Sequence, residues 1–570
     1  MNLLIDNTEI KRICEKRYTS MQDVYRQWEP QWRDLRDFVY PYIGRFTDEQ
    51  KNKGERPDIK ILDNVVGRAL RTLVSGFQSG LTSPSRPWLR LVLADTELSD
   101  YPRVRKWLDT CRDIMLSKFR ASNFYDVTQK VYRENAIFGS ACAIIDEDDK
   151  SVFRFRNFTC GEYMIGHDHT QRIDAFAREF NDNAANLVGM FGENKLPSSI
   201  TNAYRRNDYN SQLYVRHIIM ANKFYDSNKF GWENKPFISV YWVPDSKVND
   251  GVLSVTGYDE QPFAVPRWSV IGGDIYGKAS PGWETLGDCK QLHAEVESKL
   301  EQLDLLTHPP MNGSEDLKAA DIVPGGFTAL SGNDTKGAWP MFQVIPQLQA
   351  LSVDIKELHE AIEESFFKPI FLSILAGAER QMTAREIVER HEEKLMMLSP
   401  PLDSTQNDYL APKINRGFNI LLRNNYFPPP PDELIGMEID VEYLGIFAQA
   451  QKMMETQKTQ DTLTFASTFA QYNPDILDYI NFDEAVKVYA DGIGVHAKIM
   501  RDDTEVQQIR EERAAAQMAE KQAQAEQQQA QQLGQNIGQL SQTARNLSQT
   551  DTSGMNALSD VVNSLGGAIV

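Results

Sequence analysis

Two helical repeats separated by a stretch that cannot be helical constrain this chain more than any other feature. From Trp283 to Leu306, apolar residues recur at Leu286, Cys289, Leu292, Val296, Leu300 and Leu303. From Gln347 to Phe367 they recur at Leu348, Leu351, Ile355, Leu358, Ile362 and Phe366. Steps of three and four put each set on one helical face, with Glu, Lys, Gln and Asp opposite. At about 1.5 Å per residue, each segment is a rod roughly 30–35 Å long. Between them stand His308-Pro309-Pro310, Asn312-Gly313, Pro324-Gly325-Gly326, Gly332-Asn333-Asp334 and Trp339-Pro340. That is turn chemistry around short strands, expected at Phe327–Leu330 and Met341–Ile345. A helix pair with a β-rich tip is a mechanical part rather than the architecture of a pocket.

The rest must be divided among several cores, because 570 residues exceed what one core organises. A hydrophobic content of 41% and a charged content of 25% are those of an ordinary soluble globular protein. The net charge of -19 argues against a surface that grips nucleic acid phosphates, which needs clustered Lys and Arg. It is compatible with surrounding DNA without holding it, and it keeps free subunits of a large assembly soluble. Cys14, Cys111, Cys142, Cys160 and Cys289 are scattered and form no Cys-x-x-Cys pair, so they read as reduced core residues of a cytoplasmic product. Met1–Asp6 lacks a basic segment and a long apolar run, so no signal peptide is expected. No apolar run approaches the ~18 residues of a membrane span.

Along the chain, helices are expected over Thr8–Tyr40, Ile59–Leu81, Pro102–Arg120 and Tyr125–Phe138. The second is rich in small residues (Gly67, Ala69, Ser75, Gly76, Ser79, Gly80), which let another helix or a neighbouring subunit approach closely. Strands are expected at Leu89–Val92, Ala141–Ile145, Ser151–Phe155, Tyr163–Ile165, Leu213–Ile219, Phe237–Val243 and Gly251–Val255, with a helix over Ala184–Ala203. Asp146-Glu147-Asp148-Asp149 suggests a metal nuclease, but it reads better as a hairpin tip, since no partner carboxylates recur at regular spacing. His167-Asp168-His169 follows a strand and reads as a turn. Histidines at i and i+2 do not share a helix face as paired zinc ligands do.

Gly272-Gly273-Asp274-Ile275-Tyr276-Gly277-Lys278 matches a phosphate loop after strand-like Trp268–Ile271. A true loop continues with Ser or Thr for magnesium and opens a helix at once. Here Ala279 follows and Pro281-Gly282 intervenes. No Gly-x-Ser-x-Gly elbow or His-Glu-x-x-His is present. No enzyme, catalytic residue, metal or cofactor is expected.

Beyond the second rod, Lys368-Pro369 bends the path and Ala376–Gln381 looks mobile. Thr383-Ala384-Arg385-Glu386 is a capping box, opening a helix to about Leu398. A helix follows over Tyr409–Asn424, an extended segment at Pro428–Pro431, alternation at Ile439–Tyr443, and a helical bundle over Ala448–Arg501. From Glu505 the composition turns to Gln, Ala and Glu, with a heptad seam at Leu533, Ile537, Leu540, Ala544 and Leu547. The tail reads either as disordered or as a helix that orders beside copies of itself. Gly534 and Gly538 weaken a lone helix, and self-association is expected if a ring gathers the tails.

At this point the chain resembles the portal, or head-to-tail connector, family of short-tailed bacteriophages. The resemblance is carried by Asn64–Trp88, with Ser79-Gly80-Leu81-Thr82-Ser83-Pro84 and Arg86-Pro87-Trp88, and by Pro262–Trp268, Tyr276-Gly277 and the rod pair. Most telling are Met382–Ile387 with Glu392-Glu393-Lys394-Leu395, and Pro428–Pro431 before Val441–Gly445. The order spans nearly all of residues 1–450. It departs at Lys278-Ala279-Ser280-Pro281, and the tail after 505 is not diagnostic.

The resemblance implies an α+β, mostly helical portal-type fold. It has a wing (1–280 and 383–445), stem helices (281–306 and 346–369), a β-containing clip (307–345), a tunnel loop (370–382) and a helical crown (446–505). Residues 506–570 form a Gln/Ala-rich tail, a candidate barrel helix. It further implies a dodecameric homo-oligomeric ring at one capsid vertex of the virion, with double-stranded DNA passing through its channel. Terminase, a tail adaptor, and the major capsid and scaffolding proteins would be partners, with no membrane. Arg380 and Gln381, with Glu379 and Lys368, are expected at the DNA channel, although Arg380 could equally pair with Glu379 or Glu386. Phe327 and Trp339 are expected at the clip interface, with a core role the alternative for Trp339. Stem packing falls to Leu292, Val296, Leu300, Leu303, Leu351, Ile355, Leu358 and Ile362. The rival readings are a nucleotide-binding packaging enzyme using Gly272–Lys278, and a virion structural protein that forms no ring.

Overall fold

The computed structural model describes residues 7–46, 60–93, 102–222, 225–226, 229–246, 248–308, 311–312, 339–340, 348–372, 400–431, 434, 439–443, 462–466, 468–469, 479–493 and 503–549. These residues are mostly helical, with antiparallel sheets, an α+β architecture. The chain divides into two units, 1–493 and 494–570.

In the first unit, α1 (Asn7–Phe38) buries Ile10, Cys14, Tyr18 and Met21 as one stripe. The stripe covers a five-stranded antiparallel sheet in the order β4 (Met164–His167), β5 (Ile173–Asn183), β6 (Gln212–Ala221), β7 (Phe237–Trp242), β8 (Val252–Tyr258). Side chains alternate across a strand. Ala175, Ala177, Ile218 and Val240 therefore meet α1, while Phe176 and Ile219 enter a second core. That second core holds the end of α1 (Trp32, Leu35), α2 (Val65–Leu81) and one side of α4 (Phe124–Phe138). The other side of α4 joins α3 (Pro102–Ala121) in a third core, so α4 is buried on two sides and keeps the Asp126–Lys130 ion pair on its exposed edge.

The third core is closed by β2 (Cys142–Asp148) and β3 (Val152–Phe158), by β1 (Leu89–Leu93), and by α9 (Ala411–Arg423). The acidic run at 146–149 lies at the β2–β3 hairpin, where Asp148 accepts from the Ser151 amide at 2.7 Å. The alternating Ile439–Tyr443 strand pairs antiparallel with β1, Leu91 opposite Val441. α9 brings two cations inside. Lys413 donates to Ala143 O at 2.7 Å; Arg416 donates to Ile145 O at 3.1 Å and pairs with Glu260 at 3.0 Å. Burial lowers the Lys413 pKa to about 7.

Two expectations change. The helix expected over 184–203 is two helices, α5 (Ala184–Phe191) and α6 (Ser198–Arg205). Gly192, at φ 80°, ends the first, and Pro197 stands as N-cap of the second. Trp268–Ile271 is not a strand; the local pairing is a single bridge between Ser140 and Arg267. The phosphate-loop lysine is engaged elsewhere. Lys278 pairs with Asp274 at 2.7 Å and lies 5.2 Å above the Trp28 ring.

The rods are α7 (Leu286–Thr307), preceded by a one-turn helix at Pro281–Glu284, and α8 (Leu348–Ser365). The first unit ends in α10 (Phe482–Ile493); in the second unit, α11 (Asp503–Gln549) is a single helix of 47 residues with Met518, Ile537 and Leu540 exposed.

Candidate functional site

The rod pair is buried unevenly along its length. Cys289, Leu292, Ile355, Ile362 and Phe366 lie in the core shared with α1, α2 and α4. Val296 and Leu358 are partly buried against that core, and Leu351 is half-buried. Farther out along α7, Leu300 is 54% exposed and Leu303, Leu305 and Leu306 are exposed too; on α8 Val353 is exposed on the face opposite Ile355. Glu297, Glu301, Asp304, Asp354, Glu357 and Glu360 are also exposed, giving the rods an acidic outer surface. Lys299 reaches across to donate to Ser352 at 3.2 Å.

Beyond α7, Met311–Asn312 pairs antiparallel with Trp339–Pro340, so Trp339 sits opposite Asn312 on a two-residue ladder. Phe327 and the strands expected at 327–330 and 341–345 lie outside the described residues.

After α8 the helix breaks at Phe367, whose φ is +54°. A non-glycine residue in the left-handed region is strained by roughly 1–3 kcal/mol and is held only by its surroundings. Lys368 forms an ion pair with Glu363, back across the break. Phe371 then docks on α2: a Cβ at Gly76 would meet the Phe371 ring at 2.1 Å, so only glycine leaves the seat open. The small-residue helix is thereby occupied from within the same chain. Arg380, Gln381, Glu379 and the capping box at 383–386 lie outside the described residues.

Sequence reasoning passed over the joint between rods and body. Segment 60–64, which leads into α2, is held by His293 from α7 and His359 from α8. Each histidine lies beside an apolar position and gives no periodic signal of its own. Among the described residues, no group of three His, Cys, Asp or Glu could hold a metal ion, and no helix is long and apolar enough to cross a membrane. What the arrangement offers is a braced lever with an unfinished apolar flank.

Residues 11–500 match the sequence profile of a family described as bacteriophage head to tail connecting protein. The probable portal protein of Bordetella phage BPP-1 is 34% identical over 567 residues, which is 99% of this chain and 100% of that one. The portal protein of Salmonella phage epsilon15 is 34% identical over 522 residues, 90% of this chain and 93% of that one.

Proposed function

The chain belongs to the bacteriophage head-to-tail connecting proteins, and from that premise we propose that it is the portal: a closed ring at one capsid vertex through which the genome is packaged and ejected. The two relatives carry the names probable portal protein and portal protein. The observation that carries the ring is the flank of the rods. Leu300, Leu303 and Leu306 are exposed although their spacing continues the buried stripe, and Leu305 and Val353 are exposed on other faces of the rods. An apolar stripe that finds no cover among the described residues is the signature of an interface. Neighbouring rods in a dodecamer would cover it while the acidic surface faces the bore, where it repels DNA and lets the duplex slide.

On this reading residues 1–280 and 383–445 form the wing, and α7 and α8 the stem. The insert 307–345 is the clip for motor and tail, 370–382 the tunnel loop, and 446–505 the crown. Terminase and a tail adaptor would take turns at the clip, with scaffold and major capsid protein around the wing. The heptad seam of α11 would order as a barrel once copies stand side by side. Arg380 and Gln381 would meet DNA, which predicts that Arg380→Glu leaves rings intact but impairs packaging or retention. Unchanged genome yield would remove that assignment. For the clip, Trp339→Ala particles that join tails normally would remove Trp339 from the docking surface.

Native mass spectrometry with negative-stain imaging of the purified chain tests the ring itself. Rings with a central hole support it. A chain that stays monomeric even with scaffold present overturns it.

A further inference from the structure

Segment 60–64 is the point at which both rods touch the start of α2, and its two histidine partners use their nitrogens differently. His293 Nδ1 lies 3.3 Å from the Leu62 amide nitrogen, and its Nε2 lies 3.1 Å from Phe38 O. An amide N–H can only donate and a carbonyl can only accept. His293 is therefore the neutral tautomer with its proton on Nε2, and both ring nitrogens are spent. A second proton has one place to go, Nδ1, where it would face the Leu62 N–H head-on. His359 is the opposite case. Its Nε2 is 3.1 Å from Asp63 Oδ2, so a positive ring strengthens the bond. The other oxygen of Asp63 accepts the Val65 amide at 2.8 Å, capping α2, and lies 3.8 Å from Arg68.

We propose that segment 60–64 is a pH-sensitive latch: neutral His293 ties the first rod to Leu62, and acid releases that tie while the bond of His359 to Asp63 stays.

The charged groups around the latch come from every element packed there. α1 contributes Asp34, paired with Lys290 at 2.7 Å, and Asp37, paired with Lys60 at 2.9 Å and with Arg36. The segment contributes Lys60 and Asp63, α2 contributes Arg68, and α8 contributes His359. Asp34 and Asp37 are neutralised by lysine and arginine, and Asp63 is the carboxylate that acts on His293. Burial outweighs Asp63 and the Phe38 carbonyl and holds the His293 pKa below its ordinary value. A depressed histidine pKa means that the tie is complete above the unfolded value, about 6.5, and is lost as pH falls through the folded value. The inference does not depend on the ring. It needs only the joint between rods and body in a single chain.

Hydrogen–deuterium exchange of the peptide spanning 60–64 in the full chain, corrected for intrinsic rates between pH 7.5 and 4.5, reads the latch. Protection of the Leu62 amide should fall about tenfold for each pH unit between the unfolded value, about 6.5, and the lower folded pKa of His293. His293→Gln keeps a side-chain donor for Phe38 O and an acceptor for Leu62 N–H without a titrating group, so its protection should be flat with pH. His359→Gln should keep the wild-type pH dependence. Wild-type protection that is constant over this range overturns the proposal. So does a pH dependence that survives His293→Gln, or one that disappears in His359→Gln instead.

Discussion

The body around α4 and the outer ends of the rods follow opposite rules. In the body every large apolar side chain on α4 is covered, and even buried charges find partners: Arg416 has Glu260, and Lys413 has a backbone carbonyl. Toward the outer end of α7 the same leucine spacing continues, yet Leu300 remains more than half exposed. One region is covered by the described residues of its own chain and the other is not. A stripe of constant composition thus carries two jobs, folding at its inner end and association at its outer end, and the boundary falls near Val296 and Leu351.

The comparison breaks most visibly at Phe366. This ring is fully buried among the body elements, and Phe366→Ala should cost about 3–5 kcal/mol. Urea unfolding of the chain under non-assembling conditions would show it as a lowered midpoint. A cost below about 1 kcal/mol would mean that the inner rods are as loosely held as the outer ones.

Gly139→Ala comes next. Gly139 ends α4 at φ +78°, and a Cβ there would meet the Gly277 carbonyl oxygen at 2.5 Å. Backbone cannot yield as a side chain tip can, so a loss of about 1–3 kcal/mol is expected, read in the same unfolding experiment.

A third test uses the charge buried in the body. Lys413 is depressed to about 7 by burial, while an unfolded lysine titrates near 10.4. Between these values the unfolded chain binds a proton that the folded chain has released, so stability should rise with pH. The slope approaches about 1.4 kcal/mol per pH unit above the folded pKa. The measurement belongs between pH 7 and 8, below the range where the buried thiols and phenols ionise on unfolding. Lys413→Met should reduce the slope by that amount; an unchanged slope would show that the ammonium stays charged in place.

Much of this architecture is legible in the residues, because a helix written with apolar steps of three and four has little alternative. Ile439–Tyr443 and Leu89–Val92 each read as strands. Their pairing does not, since two alternating pentapeptides so far apart in the chain carry no mutual address. Gly76 likewise advertises a close approach on α2 but not that Phe371 makes it. The latch is hidden for a sharper reason. His293 and His359 are ordinary polar neighbours of a core stripe until the fold places Leu62 and Asp63 against them. Periodicity reports what a helix buries, not what crosses its flank.

The smallest effect expected on the lone chain is the one that decides the comparison. Leu303→Ala and Leu300→Ala remove exposed side chains, so each should change monomer stability by less than about 0.5 kcal/mol. In a ring the same methyl groups would pack against a neighbour at every interface, and their loss would recur around the whole circle. The double variant should therefore unfold like the wild type as a monomer while its rings dissociate at higher protein concentration in native mass spectrometry. A destabilised monomer would show that these leucines are already covered within the chain. Rings of unchanged strength would show that the neighbours meet elsewhere, and the outer stripe would then need another partner. Only the combination of an indifferent monomer and a weakened ring fits a rod whose inner half folds the subunit and whose outer half joins it to the next.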